Sequence, residues 1–251
     1  MPEPTAPVFE IFSSIQGEGI FVGIRQVFVR FCGCNRRCFF CDTQSALALA
    51  PACEVEQRPG SLDVARLDNP LSLSDVVQAV VALDEPSGLH DSVSLTGGEP
   101  LIHADFVAAL CPLLNGRGLA VCLETNGTLP DALERVLDSV RHVAMDIKLA
   151  SATGQSTPWD LHDRFLALAL RRSVQVKVVV CADTTDDELA RVAELVSTQN
   201  TQAPVVLQAV TPARGVEAPR PAQMLAFQAA LKGRLSDVRV IPQVHKLMGQ
   251  K

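Results

Sequence analysis

Gln26-Val27-Phe28-Val29-Arg30-Phe31-Cys32-Gly33-Cys34-Asn35-Arg36-Arg37-Cys38-Phe39-Phe40-Cys41-Asp42-Thr43 is an apolar run that leads straight into a loop of cysteines. Residues 26–31 read as a strand. Beyond it, Cys34, Cys38 and Cys41 stand at C-x3-C-x2-C spacing, with no fourth ligand close by. A structural zinc site takes four protein ligands. An iron–sulfur cluster is held by thiolates, and a four-iron cluster held by only three leaves one iron open to a substrate or cofactor. The loop is therefore a candidate catalytic centre, with a zinc site as the plainer alternative. Cys32, at the strand end, is a weaker ligand candidate.

Outward from this stretch, short Val- and Ile-rich runs alternate with longer amphipathic ones. Strands are predicted at 92–95, 119–123, 142–147, 174–180, 205–209 and 238–241. Helices are predicted at 72–83, 104–114, 130–139, 159–171, 185–197 and 221–231. Such alternation argues a parallel sheet with right-handed crossovers. A closed eight-unit barrel takes about 250 residues, but residues 44–71 are rich in Ala, Pro and Asp and add no repeat. The pattern predicts an α/β fold: an incomplete (β/α) barrel of about six βα units in one domain spanning 1–251, with a surface insertion at 44–71.

Polar residues gather just past the predicted strands. Thr96-Gly97-Gly98-Glu99-Pro100 follows the second, and Glu124-Thr125-Asn126-Gly127 follows the third. Asp146 and Lys148 end the fourth, Gln208 lies in the sixth, and His245 lies past the last. In a parallel barrel these positions converge on the carboxyl-end rim, where barrel active sites sit. Each has an ordinary alternative. The Gly-Gly and Asn-Gly pairs are turn signals, and Asp146 with Lys148 could be a surface ion pair. Glu18, in Ser14-Ile15-Gln16-Gly17-Glu18-Gly19, is either a solvated loop residue or part of a backbone-lined pocket for a polar heterocycle.

Composition narrows the class of function. The formal net charge is −6, so there is no basic footprint for nucleic acid, and a small-molecule substrate is expected. Met1-Pro2-Glu3-Pro4 carries no basic stretch followed by an apolar one, so neither signal peptide nor membrane span is expected, and a cytoplasmic location is. In a reducing compartment the eight cysteines are not a disulfide framework. Cys53, Cys111, Cys122 and Cys181 read as small buried hydrophobes.

The cysteine loop together with Gly97-Gly98-Glu99-Pro100 resembles the radical S-adenosylmethionine superfamily. Within it, Ser14-Ile15-Gln16-Gly17-Glu18-Gly19, Val27-Phe28-Val29-Arg30-Phe31, Leu123-Glu124-Thr125-Asn126-Gly127 and Gln243-Val244-His245-Lys246 resemble the 7-carboxy-7-deazaguanine synthase family over nearly the whole chain. The resemblance implies a ring-contracting lyase that converts 6-carboxy-5,6,7,8-tetrahydropterin to 7-carboxy-7-deazaguanine with loss of ammonia, in 7-deazapurine and queuosine biosynthesis. It implies a [4Fe-4S] cluster on Cys34, Cys38 and Cys41, and Mg2+ on Thr43. S-adenosyl-L-methionine would be held by Gly97, Gly98, Glu99, Asn126, Asp146, Ile147, Lys148 and Gln208. Ile15, Gln16, Gly17, Glu18, Arg30, Thr96, Glu124 and His245 would line the substrate pocket, with Glu18, Arg30 and Glu124 as the catalytic candidates. A flavodoxin-like or ferredoxin-like reductant and a homodimer are implied as well. Two departures stand out. Asp146-Ile147-Lys148 replaces a Ser-Pro-Lys common in the family and resembles the glycyl-radical activases, which leaves an activase open. The ending Gly249-Gln250-Lys251 lacks a terminal proline whose carboxylate reaches substrate in some members.

Overall fold

The chain is described from a computed structural model covering residues 3–250; Lys251, and with it any contact of the terminal carboxylate, lies outside the described residues. In chain order the N-terminal elements are β1 (Thr5–Ala6), β2 (Val8–Ile15), β3 (Arg25–Phe31), β4 (Ala52–Glu56), β5 (Val64–Asp68), β6 (Leu71–Ser72) and α1 (Leu73–Leu83). The middle holds β7 (Ser92–Gly97), α2 (Ala104–Asn115), β8 (Val121–Thr125), α3 (Pro130–Val136), β9 (His142–Ile147), α4 (Ala150–Thr153) and α5 (Trp159–Ala169). The chain continues through β10 (Ser173–Val180), α6 (Asp186–Gln199), β11 (Val205–Ala209), α7 (Pro221–Lys232), β12 (Val238–Val240) and α8 (Val244–Leu247).

Ten strands form one open sheet in the order β12-β11-β10-β9-β8-β7-β3-β2-β4-β5. From β3 to β12 every neighbouring pair is parallel, as helical crossovers require. β2 returns antiparallel to β3. The stretch 44–71 contributes β4, parallel to β2, and the exposed edge strand β5. These strands were not expected from its sequence. The sheet does not close, as expected of an incomplete barrel.

Alternation along each strand sorts the side chains by face. In β10, Val174, Val176, Val178 and Val180 join the core under the helices, while Gln175, Lys177 and Val179 line the interior. In β3, Val27, Val29 and Phe31 face the core, and Phe28 and Arg30 face inward. β9 repeats the pattern, with Val143, Met145 and Ile147 outward and Ala144 and Asp146 inward. Each fully buried Val or Leu is worth ~1.5–3 kcal/mol. The apolar face toward the helices thus holds the fold together, which leaves the inward face able to be polar. Helix entry is fixed locally: Ser72 with Asp75 caps α1 and Thr185 with Glu188 caps α6, each as a reciprocal capping box. Among the described residues, no helix is long and apolar enough to cross a membrane.

Candidate active site

The inward faces of the strands and the loops at their carboxyl ends enclose a cavity of about 490 Å³, within the size range of small-molecule sites. Cys34, Cys38 and Cys41 all line it, each half-buried. Among the described residues, no three His, Cys, Asp or Glu side chains converge as a single metal ion would demand. A cluster, whose irons each take a different thiolate, asks instead for three thiols around one cavity. Three thiols on one cavity are a donor set that would suit such a cluster. Burial raises the Cys34 and Cys38 thiols, and the Lys148 ammonium works in the opposite direction at both. Cys32 is fully buried, and its carbonyl accepts from His103 Nε2 at 2.8 Å; its side chain is not part of the cavity wall.

The Gly-Gly turn after β7 packs directly on the cysteine loop. A Cβ at Gly98 would lie 1.9 Å from the Gly33 carbonyl oxygen, and one at Gly97, whose φ is +133°, would lie 2.4 Å from that of Phe31. Only glycines allow this approach, and both line the cavity. Glu99 points elsewhere. It is fully buried and accepts from Asn126 N (2.7 Å), Thr125 Oγ1 (2.8 Å) and Leu101 N (3.0 Å). Burial raises its carboxyl, against the pull of those donors. Glu99 binds the β7 turn to the β8 turn from behind the cavity wall.

Charges alternate across the cavity floor. Lys148 Nζ lies 2.7 Å from Asp146 Oδ2, and Lys177 Nζ lies 3.5 Å from the same oxygen and 2.5 Å from Glu18 Oε2. Burial works to raise Glu18, but the Lys177 charge and the hydrogen bonds of Lys177 and Gln243 outweigh it and hold the carboxyl at about 2. Burial likewise opposes the charge on Lys177, yet Glu18 and Asp146 push its pKa upward. Two acceptors on this wall, Asp146 Oδ1 and Gln208 Oε1, are buried without a hydrogen-bond partner. Unmatched buried acceptors are costly, and the amino and hydroxyl groups of a nucleoside-bearing amino acid are donors of the kind they call for.

At the opposite end, Glu124 accepts from Ser94 Oγ (2.6 Å), Gln16 Nε2 (2.8 Å) and Thr96 Oγ1 (3.0 Å). Arg30 is anchored through Nε to Glu10 at 2.8 Å and lies over the Phe12 ring. The C-terminal segment covers this end: Val244 N donates to the Gly17 carbonyl at 2.9 Å, Gln243 Nε2 to Glu18 at 2.6 Å, and Lys246 Nζ to Asp42 at 2.9 Å. Burial raises Asp42, but Lys246 and Gln243 hold it down at about 2. Thr43 lines the cavity beside Cys41, with its hydroxyl oxygen 3.7 Å from the thiol; a neutral oxygen donor there suits a hard cation such as Mg2+.

Of the residues singled out in the sequence, Ile15, Gln16, Gly17, Glu18, Arg30, Thr43, Thr96, Gly97, Gly98 and the three loop cysteines line this cavity. So do Glu124, Asn126, Asp146, Lys148, Gln208 and His245. Glu99 and Ile147 do not: the first is behind the wall and the second is in the core. Sequence reasoning missed Glu10, Gln175 and Lys177, and it quoted Asp42 and Gln243 only within longer runs, with no role for either. The signal for Gln175 and Lys177 was present, because two polar residues at alternate positions of a valine strand mark an inward polar face.

A family model of the radical SAM superfamily matches residues 28–196. A 7-carboxy-7-deazaguanine synthase of Geobacter sulfurreducens is 42% identical over the full length of both chains. One from Methanothermobacter thermautotrophicus is 35% identical over 97% of each. Among solved structures, QueE from Escherichia coli is similar in fold, with a TM-score of 0.61 at 21% identity over 96% of this chain and 95% of that one.

Proposed function

The chain belongs to the 7-carboxy-7-deazaguanine synthase family of the radical SAM superfamily, and from that premise we propose how its cavity carries out the reaction. The chain is a ring-contracting lyase that converts 6-carboxy-5,6,7,8-tetrahydropterin to 7-carboxy-7-deazaguanine with loss of ammonia. One observation carries the assignment of residues: the three loop cysteines share a single cavity with Glu18, Arg30, Thr96, Glu124 and His245.

In this reading Cys34, Cys38 and Cys41 would hold the [4Fe-4S] cluster, and Gly97, Gly98, Asn126, Asp146, Lys148 and Gln208 would hold S-adenosylmethionine. When bound, the two supply one-electron hydrogen-abstraction chemistry. The protein's share is orientation. The unmatched acceptors of Asp146 and Gln208 would receive the cofactor's N–H and O–H donors. Glu99 keeps the Gly-Gly and Asn126 turns in register. Glu18, Gln16 and Glu124 face the N–H-rich edge of the pterin, and Glu124 has its direction fixed by three donors. Arg30 offers its planar fork to the substrate carboxylate, and Thr43 would hold Mg2+ through its hydroxyl oxygen. His245 and the C-terminal segment cover the ring. The activase reading draws no support from the relatives, which match nearly the whole chain and are 7-carboxy-7-deazaguanine synthases. A homodimer, a small redox protein as electron donor, a cytoplasmic location, and one radical SAM core with 44–71 as its periphery complete the proposal.

The test is an anaerobic reaction of reconstituted protein with reductant, S-adenosylmethionine, Mg2+ and 6-carboxytetrahydropterin, followed by mass spectrometry. Formation of 7-carboxy-7-deazaguanine is expected. Cofactor cleavage without that product would reject the substrate while keeping the superfamily chemistry.

A further inference from the structure

β10 carries a buried cation that no motif or resemblance assigned. Lys177 stands opposite Asp146 on β9, while Gln208 on β11 stands opposite Val179, one inward position further along β10. Glu18 reaches in from the loop after β2 and accepts from three elements: Lys177 on β10, Gln208 Nε2 on β11 at 3.2 Å, and Gln243 Nε2 near the C-terminus at 2.6 Å. Only Lys177 among these donors is charged. Its nitrogen also lies 3.5 Å from Asp146 Oδ2, so Glu18, Lys177, Asp146 and Lys148 form one alternating chain from the substrate end to the cysteine loop.

A buried ion pair is poor evidence of stabilisation, since apolar side chains of similar volume usually serve the fold as well or better. Lys177 shares the inward face of β10 with Gln175 and Val179, and a neutral side chain there would need no counter-charge. The charge is better explained by what it holds. We propose that Lys177 is a positioning residue for the pterin: it ties the substrate-facing Glu18 to the cofactor-facing Asp146 and thereby fixes the carboxylate that receives the ring N–H groups. The inference rests on the reading above that Glu18 faces the pterin.

Loss of Lys177 leaves Glu18 buried near Asp146, Glu124 and Asp42, with Lys148, His245 and Lys246 as the remaining groups of potential positive charge around it. The carboxyl then protonates at higher pH than in the wild type, and a protonated Glu18 is a poor acceptor for the ring.

The test measures the dissociation constant of the unreactive probe 6-carboxypterin for the reconstituted holoenzyme between pH 5.5 and 8. Taking the ratio of variant to wild type at each pH cancels ionisation of the probe itself. For Lys177→Met the ratio is expected to reach tenfold or more at pH 5.5 and to shrink at least threefold by pH 8. Adding Glu18→Gln should make the ratio flat with pH, and Lys177→Arg, which keeps the charge, should also give a flat profile. If Lys177→Met does not fold, Lys177→Gln serves the same comparison. A ratio near one throughout overturns the proposal, as does a raised ratio that is flat with pH before Glu18 is changed, since packing alone would produce that. Failure of the wild type to bind the probe would overturn the pterin site itself, and this inference with it.

Discussion

Gly17→Ala isolates the part played by the C-terminal cover. The obstacle is space. A Cβ at position 17 would lie 2.1 Å from His245 Nδ1, 2.5 Å from His245 N and 2.6 Å from its Cβ. Ordinary contact begins near 3.4 Å, so the imidazole must retreat by at least 1.3 Å, the difference between 3.4 and 2.1 Å. The backbone must retreat with it. The bond from Val244 N to the Gly17 carbonyl is then lost, and the grips of Gln243 on Glu18 and of Lys246 on Asp42 weaken. Each such bond is worth about 0.5–1.5 kcal/mol. α8 buries no residue, so the fall in thermal midpoint should be confined to those bonds, about 2–6 °C. Misplacing a substrate-positioning group by about 1 Å costs about 10²-fold in rate, which is ~2.7 kcal/mol. The assay is kcat/KM for the pterin under anaerobic turnover, with a roughly 100-fold fall expected. His245→Ala removes the ring but leaves the backbone in place, so its loss should be smaller. Combining the two changes should not rescue Gly17→Ala, because the backbone clash at 2.5 Å remains. Activity within threefold of wild type for Gly17→Ala, or a double variant no worse than His245→Ala, would refute the reasoning.

Cys38→Ala should lose the cluster, read as iron and sulfide content and visible absorbance, whereas Cys32→Ala should retain it; a full iron complement in the first would remove Cys38 from the ligand set. Glu99→Gln turns an amide N–H toward backbone donors in a fully buried site, and a destabilisation of about 2–4 kcal/mol is expected in denaturant titration. Glu18 has a folded pKa of about 2, below its ordinary value of 4.5. The stability it confers is therefore fully present above pH 4.5 and is lost as pH falls toward 2; the thermal midpoint of Glu18→Gln should vary less steeply with pH in that window than that of the wild type, and equal slopes would count against the ion pair of Glu18 with Lys177. Thr43→Ala should raise the Mg2+ concentration for half-maximal turnover by tenfold or more, and an unchanged requirement would remove Thr43 from the metal site.

The fold was legible wherever hydrophobic periodicity is strong. Strands predicted at 142–147 and 205–209 match β9 and β11, and the helix predicted at 104–114 matches α2 to within one residue. Those segments are buried on a single face or on both. The edge was not legible. β5 is exposed along its whole length and its residues, Val64-Ala65-Arg66-Leu67-Asp68, show no clean alternation. It is a strand because β4 pairs with it, and that is tertiary information. β2 was missed as a sheet member for a related reason: Val8–Ile15 is largely buried but carries Glu10, Ser13 and Ser14, and Ser13 meets Glu56 and His90 while Glu10 meets Arg30, all outside the strand.

The site was legible where a backbone turn or a metal ligand leaves a local motif, and obscure where charge compensation acts across strands. Cys34, Gly98 and Asn126 stand in short runs whose spacing has meaning by itself. Lys177 has none, for its partners Glu18 and Asp146 lie 159 and 31 positions away in sequence. What could have exposed it is the physics of an inward face. A lone lysine in a central parallel strand is too costly to bury without a counter-charge, so its presence requires a carboxylate on a neighbouring strand or an entering loop. Asp146, at the matching register of the preceding strand, meets that requirement, and Glu18 is the second acid within reach. The same reasoning explains Glu10 beside Arg30, where the charged pair bridges β2 and β3. Three further cations of the cavity repeat the rule, Lys148 with Asp146, Lys177 with Glu18 and Lys246 with Asp42. Glu124 is the exception: it is held by three neutral donors, so its charge is answered by hydrogen bonds rather than by a cation.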